Sequence, residues 1–320
     1  MMKMDLVAGV DTHEALPASC TVAAMPTALS RLTDRFADYL ELTKPRIAVM
    51  ALFTVAAGYL LGAGASSDVR TLLHTLIGAG LVAAGGSALN HLLERGIDAR
   101  MRRTANRPLP SGRLSPEQAA AFGAALSGAG LAYLLATVPT AGFLAAAVTI
   151  TTYVLVYTPL KTLTEWNTIV GAVPGALPPV IGWCGARGWA GVEGAAALFA
   201  ILFLWQIPHF LAIAWMYRHD YAGAGFRMLP GTDPSGRRTA VVMIITAGLL
   251  IPVGFVVHAA GVGGWTSAIG TALVGLYFFR RAIGFGRDRT DRQAKRVLRA
   301  SLLYLPVVFG LLLVDAFLAK

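Results

Sequence analysis

Long apolar runs alternate with polar segments along the whole chain, and the runs are of one characteristic length. About 20 mostly apolar residues cross a bilayer core as a helix. Runs of that size fall near residues 46–64, 71–93, 117–137, 140–157, 167–186, 194–216, 239–258, 263–280 and 299–318. The pattern predicts an all-α, polytopic membrane bundle of about nine transmembrane helices over residues 41–320. Residues 1–40 form a leader with no apolar stretch of signal-peptide length, so it is expected to be retained. Within it, segment 27–43 sets Leu29, Leu32, Phe36 and Leu40 at helical spacing, as in a helix lying on the membrane surface.

Composition agrees and adds an orientation. The chain is 56% hydrophobic and 14% charged, with mean hydropathy +0.62, against about 25% charged residues in a soluble domain. Alternate connections carry 24 of the 27 Lys and Arg; only Arg70, Arg187 and Lys320 fall on the other side. The rich face is expected to be cytoplasmic, in the inner membrane of a cell, with the N-terminus inside. This topology accounts for the net charge of +10, so no nucleic-acid partner is implied. Cys20 and Cys184 fall on opposite sides, with no second sulfur or histidine at ligand spacing. The cytoplasmic connections are the long, polar ones, and an active site is expected to open there.

Three constellations at that face carry chemistry. Asn90, Glu94 and Asp98 follow at intervals of four at the end of the second span. Each step turns a helix by about 40° and climbs about 6 Å, so the three line one face. Such oxygen donors suit Mg²⁺, which is usually held by one or two carboxylates together with substrate phosphates and water. The plainer reading pairs Glu94 and Asp98 with Arg95 and Arg102 as interfacial ions. Next comes an arginine-dense loop, Arg100, Arg102, Arg103, Asn106, Arg107 and Arg113. Guanidinium binds phosphate oxygens bidentately, so a carboxylate face followed by this loop suits a diphosphate leaving group. The fourth span ends with Tyr157 and Lys161, an interfacial pair that also suits a diphosphate and a cation beside an aromatic ring. The sixth span holds Gln206, Pro208 and His209, then Arg218, His219, Asp220 and Tyr221 at its inner end. Pro208 is expected to kink this helix, and His209 is either a site residue or a hydrogen-bond partner of a neighbouring helix. Asp220 is the expected second contributor to a metal site facing Glu94 and Asp98.

These residues resemble the intramembrane prenyltransferases related to 4-hydroxybenzoate polyprenyltransferase, with their Asn-x3-Asp-x3-Asp signature and Tyr-x3-Lys pair. The segments LTKPRI (42–47), RTANRPLPSG (103–112), NTIVGAVPGALPPVIGW (167–183), WQIPHFLAIAW (205–215) and DYAGAGFRMLP (220–230) are similar to the heme-farnesylating branch. The resemblance implies nine helices around a central cavity, Mg²⁺ as cofactor, and farnesyl diphosphate and heme B as substrates. The implied product is heme O for heme-copper oxidases, with handover to a heme A synthase or an oxidase assembly factor. It implies catalytic roles for Asn90, Glu94, Asp98, Tyr157, Lys161 and Asp220, with Asn90, Glu94, Asp98 and Asp220 at the metal. Arg102, Arg103, Asn106, Arg107 and Lys161 are expected at the diphosphate. Lys44, Arg46, Arg218 and Arg227 are candidates for the heme propionates, and His209 for the vicinity of the iron. The chain departs from the pattern in three places: Glu94 stands for an Asp, Gly96 occupies a position often acidic in this branch, and Asp220 is followed four residues later by Ala224. A quinone-precursor acceptor, or a non-enzymatic transporter or heme-handling protein, are the competing readings.

Overall fold

The computed structural model describes residues 28–318, and all its regular structure is helical. Cys20 and the first 27 residues lie outside this range. Segment 27–43 is helical as expected, as α1 (Ala28–Leu42). Its Phe36 is exposed while Leu42 is fully buried. Arg113 holds α1 down, donating to Asp38 at 2.7 Å and Glu41 at 3.3 Å. That ties up one arginine of the loop in architecture.

Among the described residues nine helical segments are long and apolar enough to cross a membrane. They are α2 (Pro45–Ala63), α3 (Val69–Asp98), α4 (Pro116–Thr137), and α5 (Thr140–Thr151) continued through a π-helical turn (Thr152–Tyr157) into α6 (Thr158–Leu163). Then come α7 (Asn167–Ala176) with α8 (Pro178–Arg187), α9 (Val192–Met216), α12 (Arg237–Leu249) with α13 (Val253–Ala259), α14 (Trp265–Asp288) and α15 (Asp291–Leu318). Two short helices, α10 (Arg218–Ala224) and α11 (Leu229–Thr232), lie between α9 and α12 at the Arg-rich end of the bundle.

Local chemistry sets several ends. Asp68 caps α3 by accepting from the N–H groups of Arg70 and Thr71, and Ser115 and Gln118 form a reciprocal capping box on α4. Proline occupies the first turn of α2, α4 and α8, where its missing N–H costs nothing. Four boundaries differ from the sequence expectation, one of them the end of the fourth span, which continues past Tyr157 to Leu163. The second span runs on to Asp98, so the whole carboxylate ladder is helical. The eighth and ninth spans extend to Asp288 and back to Asp291, because long basic side chains reach the interface from helical backbone.

Small residues set the helix spacing. A Cβ on Gly58 would overlap the Pro179 carbonyl, and one on Gly182 the Val55 carbonyl, so α2 and α8 cross backbone to backbone. Without a hydrophobic drive between helices in lipid, such close approach supplies the packing.

Candidate active site

The ladder is built as the spacing foretold. Asn90, Glu94 and Asp98 are 1%, 6% and 1% exposed. Each rung is met by one cation from a different part of the chain. Lys44 donates to Asn90 Oδ1 at 2.7 Å, Lys161 to Glu94 Oε1 at 2.6 Å, and Arg107 to Asp98 Oδ2 at 2.7 Å. Buried ions need such partners, since desolvating an unpaired charge costs several kcal/mol, roughly.

Local backbone aims the two lysines. Lys44 sits in the turn between α1 and α2 with φ of 48°, a left-handed conformation uncommon outside glycine. Lys161 follows the π turn, where the Thr158 N–H and Oγ1 both go to the Tyr153 carbonyl. A π turn absorbs one extra residue and often marks a functional site. Here it sets the Tyr157 ring 4.6 Å from the Lys161 ammonium, with Phe226 at 5.9 Å on another side. Gly171 makes room for that ring, since a Cβ there would overlap Tyr157. The Asn90 amide also donates to Thr158 Oγ1 at 3.1 Å, joining α3 to α6. Burial, assisted by the positive Lys161, draws the Lys44 ammonium down to about 7 against the opposing pull of Glu94.

The other expected residues fall into place unequally. Arg103 is exposed but packs over the rings of Tyr217 and Tyr221 at 5.5 and 5.9 Å, so the loop after α3 meets α10. Arg102 and Asn106 are exposed beside it. Asp220 is exposed on α10, and among the described residues no three His, Cys, Asp or Glu side chains gather as a metal cluster. Glu94 and Asp98 with the Asn90 carboxamide therefore form the hard-oxygen set present, which fits Mg²⁺ completed by substrate oxygens. Gly96 is exposed, with open space around a built Cβ. It lies about 120° around α3 from Asn90, so an acidic residue there would not add a rung.

The heme candidates scatter. Lys44 belongs to the ladder. His209 stacks on Trp205 and shares a 2.7 Å hydrogen bond with Ser301 Oγ of α15, and Gln206 donates to the Ala172 carbonyl of α7. Arg218 pairs with Asp291 at 2.8 Å. Arg227 donates to the Leu163 carbonyl at 3.2 Å, and its backbone N–H donates to the Lys161 carbonyl. Arg46 is exposed. Sequence reasoning missed two residues, Ser87 and His91. Both are polar and buried on α3, and their only signal was their spacing from the ladder.

A nine-span bundle carrying a buried Asn/Glu/Asp ladder with a cation on each rung, at its Arg-rich face, is the architecture of an intramembrane prenyltransferase. The chain belongs to the UbiA prenyltransferase family, whose pattern it matches over residues 51–304. It is 47% identical over 287 residues to a protoheme IX farnesyltransferase of Solibacter usitatus, covering 87% of this chain and 98% of that one. It is 41% identical to the mitochondrial protoheme IX farnesyltransferase of Arabidopsis thaliana, covering 91% of this chain and 68% of the other. In fold it resembles a UbiA homolog from Archaeoglobus fulgidus bound to GPP and Mg²⁺, with TM-score 0.60 and 16% identity, covering 86% of this chain and 99% of that one.

Proposed function

We propose that this chain transfers the farnesyl group of farnesyl diphosphate to a vinyl group of heme B, with addition of water, to give heme O. The observation that carries the reading is the buried ladder on which Lys44, Lys161 and Arg107 each meet one rung. When a prenyl diphosphate arrives, the same three cations exchange carboxylate and amide oxygens for phosphate oxygens, which frees Glu94 and Asp98. Bound Mg²⁺ would then be held by Asn90, Glu94 and Asp98 and would offset charge on the departing diphosphate. Lys161, Arg107 and Lys44 hold the diphosphate and stabilise its added charge as the C1–O bond breaks. The Tyr157 ring, already beside a cation, is placed to shield the allylic cation by its π-face. Arg102, Arg103 and Asn106 guide the diphosphate at the mouth, and Asp220, exposed on α10 beside Tyr221, would add a further carboxylate for the metal. Arg46 and Arg227 remain the exposed cations available to the heme propionates.

The donor enters from the cytoplasmic face, because the Arg-rich face is the inner one in this reading. The heme acceptor is supported by the identity with protoheme IX farnesyltransferases across nearly their full length. Membranes containing the protein, given heme B, farnesyl diphosphate and Mg²⁺, are expected to yield heme O by mass. Folded protein that forms none, yet prenylates a hydroxybenzoate, would replace the acceptor.

A further inference from the structure

Among the described residues, five buried side-chain atoms have no hydrogen-bond partner: Ser87 Oγ, both ring nitrogens of His91, Trp215 Nε1 and Tyr304 Oη. Three of the five lie on one helix. Trp215 and Tyr304 are each packed against a phenylalanine, Phe285 and Phe278 respectively, away from α3. Ser87 and His91 are 6% and 2% exposed, and they are one helical turn apart. With Glu94 and Asp98 they stand at positions i, i+4, i+7 and i+11 of α3, a stripe about 60° wide.

The two ends of that stripe differ. Its inner half, Glu94 and Asp98, is paired with Lys161 and Arg107. Its outer half, His91 and then Ser87, lies about 4.5 and 10.5 Å deeper in the membrane than Glu94 at the rise of a helix. His91 follows Asn90 directly and stands one turn from Glu94, the rungs that meet Lys44 and Lys161, so the imidazole borders the ladder. Leaving a buried polar group unsatisfied costs about 1–3 kcal/mol, and three such atoms on one stripe call for an occupant.

We infer that Ser87 and His91 position the water that is added in the reaction, an assignment that rests on the heme reading above. The chemistry selects water. A hydroxyl and a neutral imidazole each present one donor and one acceptor. A phosphate or carboxylate oxygen could satisfy only the donors, and an apolar prenyl chain or porphyrin edge could satisfy neither. Water does both, and buried waters are held by two to four such partners, typically about three. Depth agrees with this assignment. The diphosphate is held at the inner half of the stripe and the farnesyl chain runs toward lipid, so its first carbon reacts at the level of the outer half.

The step balances without another reagent. The vinyl π pair forms the new C–C bond to the first farnesyl carbon, and the C1–O pair leaves with the diphosphate. The cation left on the former vinyl carbon next to the porphyrin takes the lone pair of the held water. The proton of that oxonium passes to the departed diphosphate, and the hydroxyl remains. Without a held water the same cation loses a proton from the adjacent carbon and gives an alkene lighter by one water. Ser87 and His91 therefore decide between hydration and elimination.

The test compares products from wild type, Ser87→Ala, His91→Leu and His91→Gln with heme B, farnesyl diphosphate and Mg²⁺, resolved by mass. Wild type is expected to give the hydroxyethylfarnesyl product. Ser87→Ala and His91→Leu should move the hydrated-to-alkene ratio toward alkene by about tenfold each, the loss of one good hydrogen bond. His91→Gln, which keeps a donor and an acceptor, should recover part of the ratio. A purely structural role would change thermal stability and leave the ratio unmoved. Ser87→Ala removes one oxygen from a helix and folds, so the ratio can be read even if His91→Leu does not accumulate. An unchanged ratio in Ser87→Ala and His91→Leu, with hydrated product from wild type, overturns the water assignment alone. Prenylation of another acceptor and none of heme by wild type overturns the heme reading, and this assignment with it.

Discussion

Two polar clusters sit inside the apolar bundle, and they are held in different ways. At the C-terminal end of α3 ionised groups meet ionised groups: Glu94 with Lys161, Asp98 with Arg107. In the α9 cluster neutral groups meet neutral groups: His209 with Ser301, Gln206 with the Ala172 carbonyl, and the Trp205 indole with the Ser301 carbonyl. In the proposed reaction the first arrangement is exchangeable, since each cation can trade a carboxylate for a phosphate oxygen. The second is a set of helix-to-helix fasteners whose partners are fixed. Intramembrane polarity alone marks both; the nature of the partner tells chemistry from adhesion.

The largest effect that would break this comparison lies at the ladder. Glu94→Gln and Asp98→Asn should each lower turnover by about two to three orders of magnitude, as removal of a group stabilising leaving-group charge does, measured as heme O formed per enzyme. Lys161→Gln leaves Glu94 buried without its ion partner. It should cost on the order of 3 kcal/mol in a detergent unfolding assay, with part of that recovered when Mg²⁺ and diphosphate are added. Gly171→Val drives a side chain into the Tyr157 ring and should cost about 1–3 kcal/mol from overpacking, raising KM for the prenyl diphosphate. At the other cluster, His209→Ala removes one hydrogen bond and should lower stability by about 1 kcal/mol, with KM for heme unchanged. A KM for heme raised tenfold or more in that variant would move His209 into the site and erase the contrast.

The smallest effect is a pH-dependent one outside both clusters. Burial pushes the Asp233 carboxyl up, but the Thr239 N–H, its hydroxyl and Ser235 Oγ all donate to it and hold it below the usual carboxylate range. The proton is therefore bound more weakly in the folded than in the unfolded state. The stabilisation is present above the unfolded value of about 3.9 and is lost as pH falls through the lower folded value. Asp233→Asn should cost about 1 kcal/mol near neutrality, as loss of a helix-end acceptor does. The gap from wild type should close as acid is added, in melting curves taken across pH.

The nine spans and the ladder were legible because hydrophobic length and a four-residue interval are properties of one stretch of chain. The partners were not. Lys44 reaches Asn90 across 46 residues of sequence, through a left-handed turn that no residue type there announces. Five loop arginines looked alike, yet Arg107 enters the ladder, Arg103 lies on tyrosine rings and Arg113 holds α1. His209 could be placed at membrane depth from the sequence, but its Ser301 partner lies on the last helix. Ser87 and His91 were legible in principle, because a polar stripe continues the ladder into an otherwise apolar span.

The π turn at Thr152–Tyr157 has a consequence for how this chain can change in length. A turn that already stores a surplus residue is a slack point: losing one residue inside it returns the segment to ordinary α-helix and leaves both flanks in phase. One turn later there is no slack. A single deletion between Tyr157 and Lys161 would swing the ammonium about 100° around the helix axis, away from Glu94. Two neighbouring stretches of one span thus have opposite tolerance for insertion and deletion, and the boundary between them runs through Thr158.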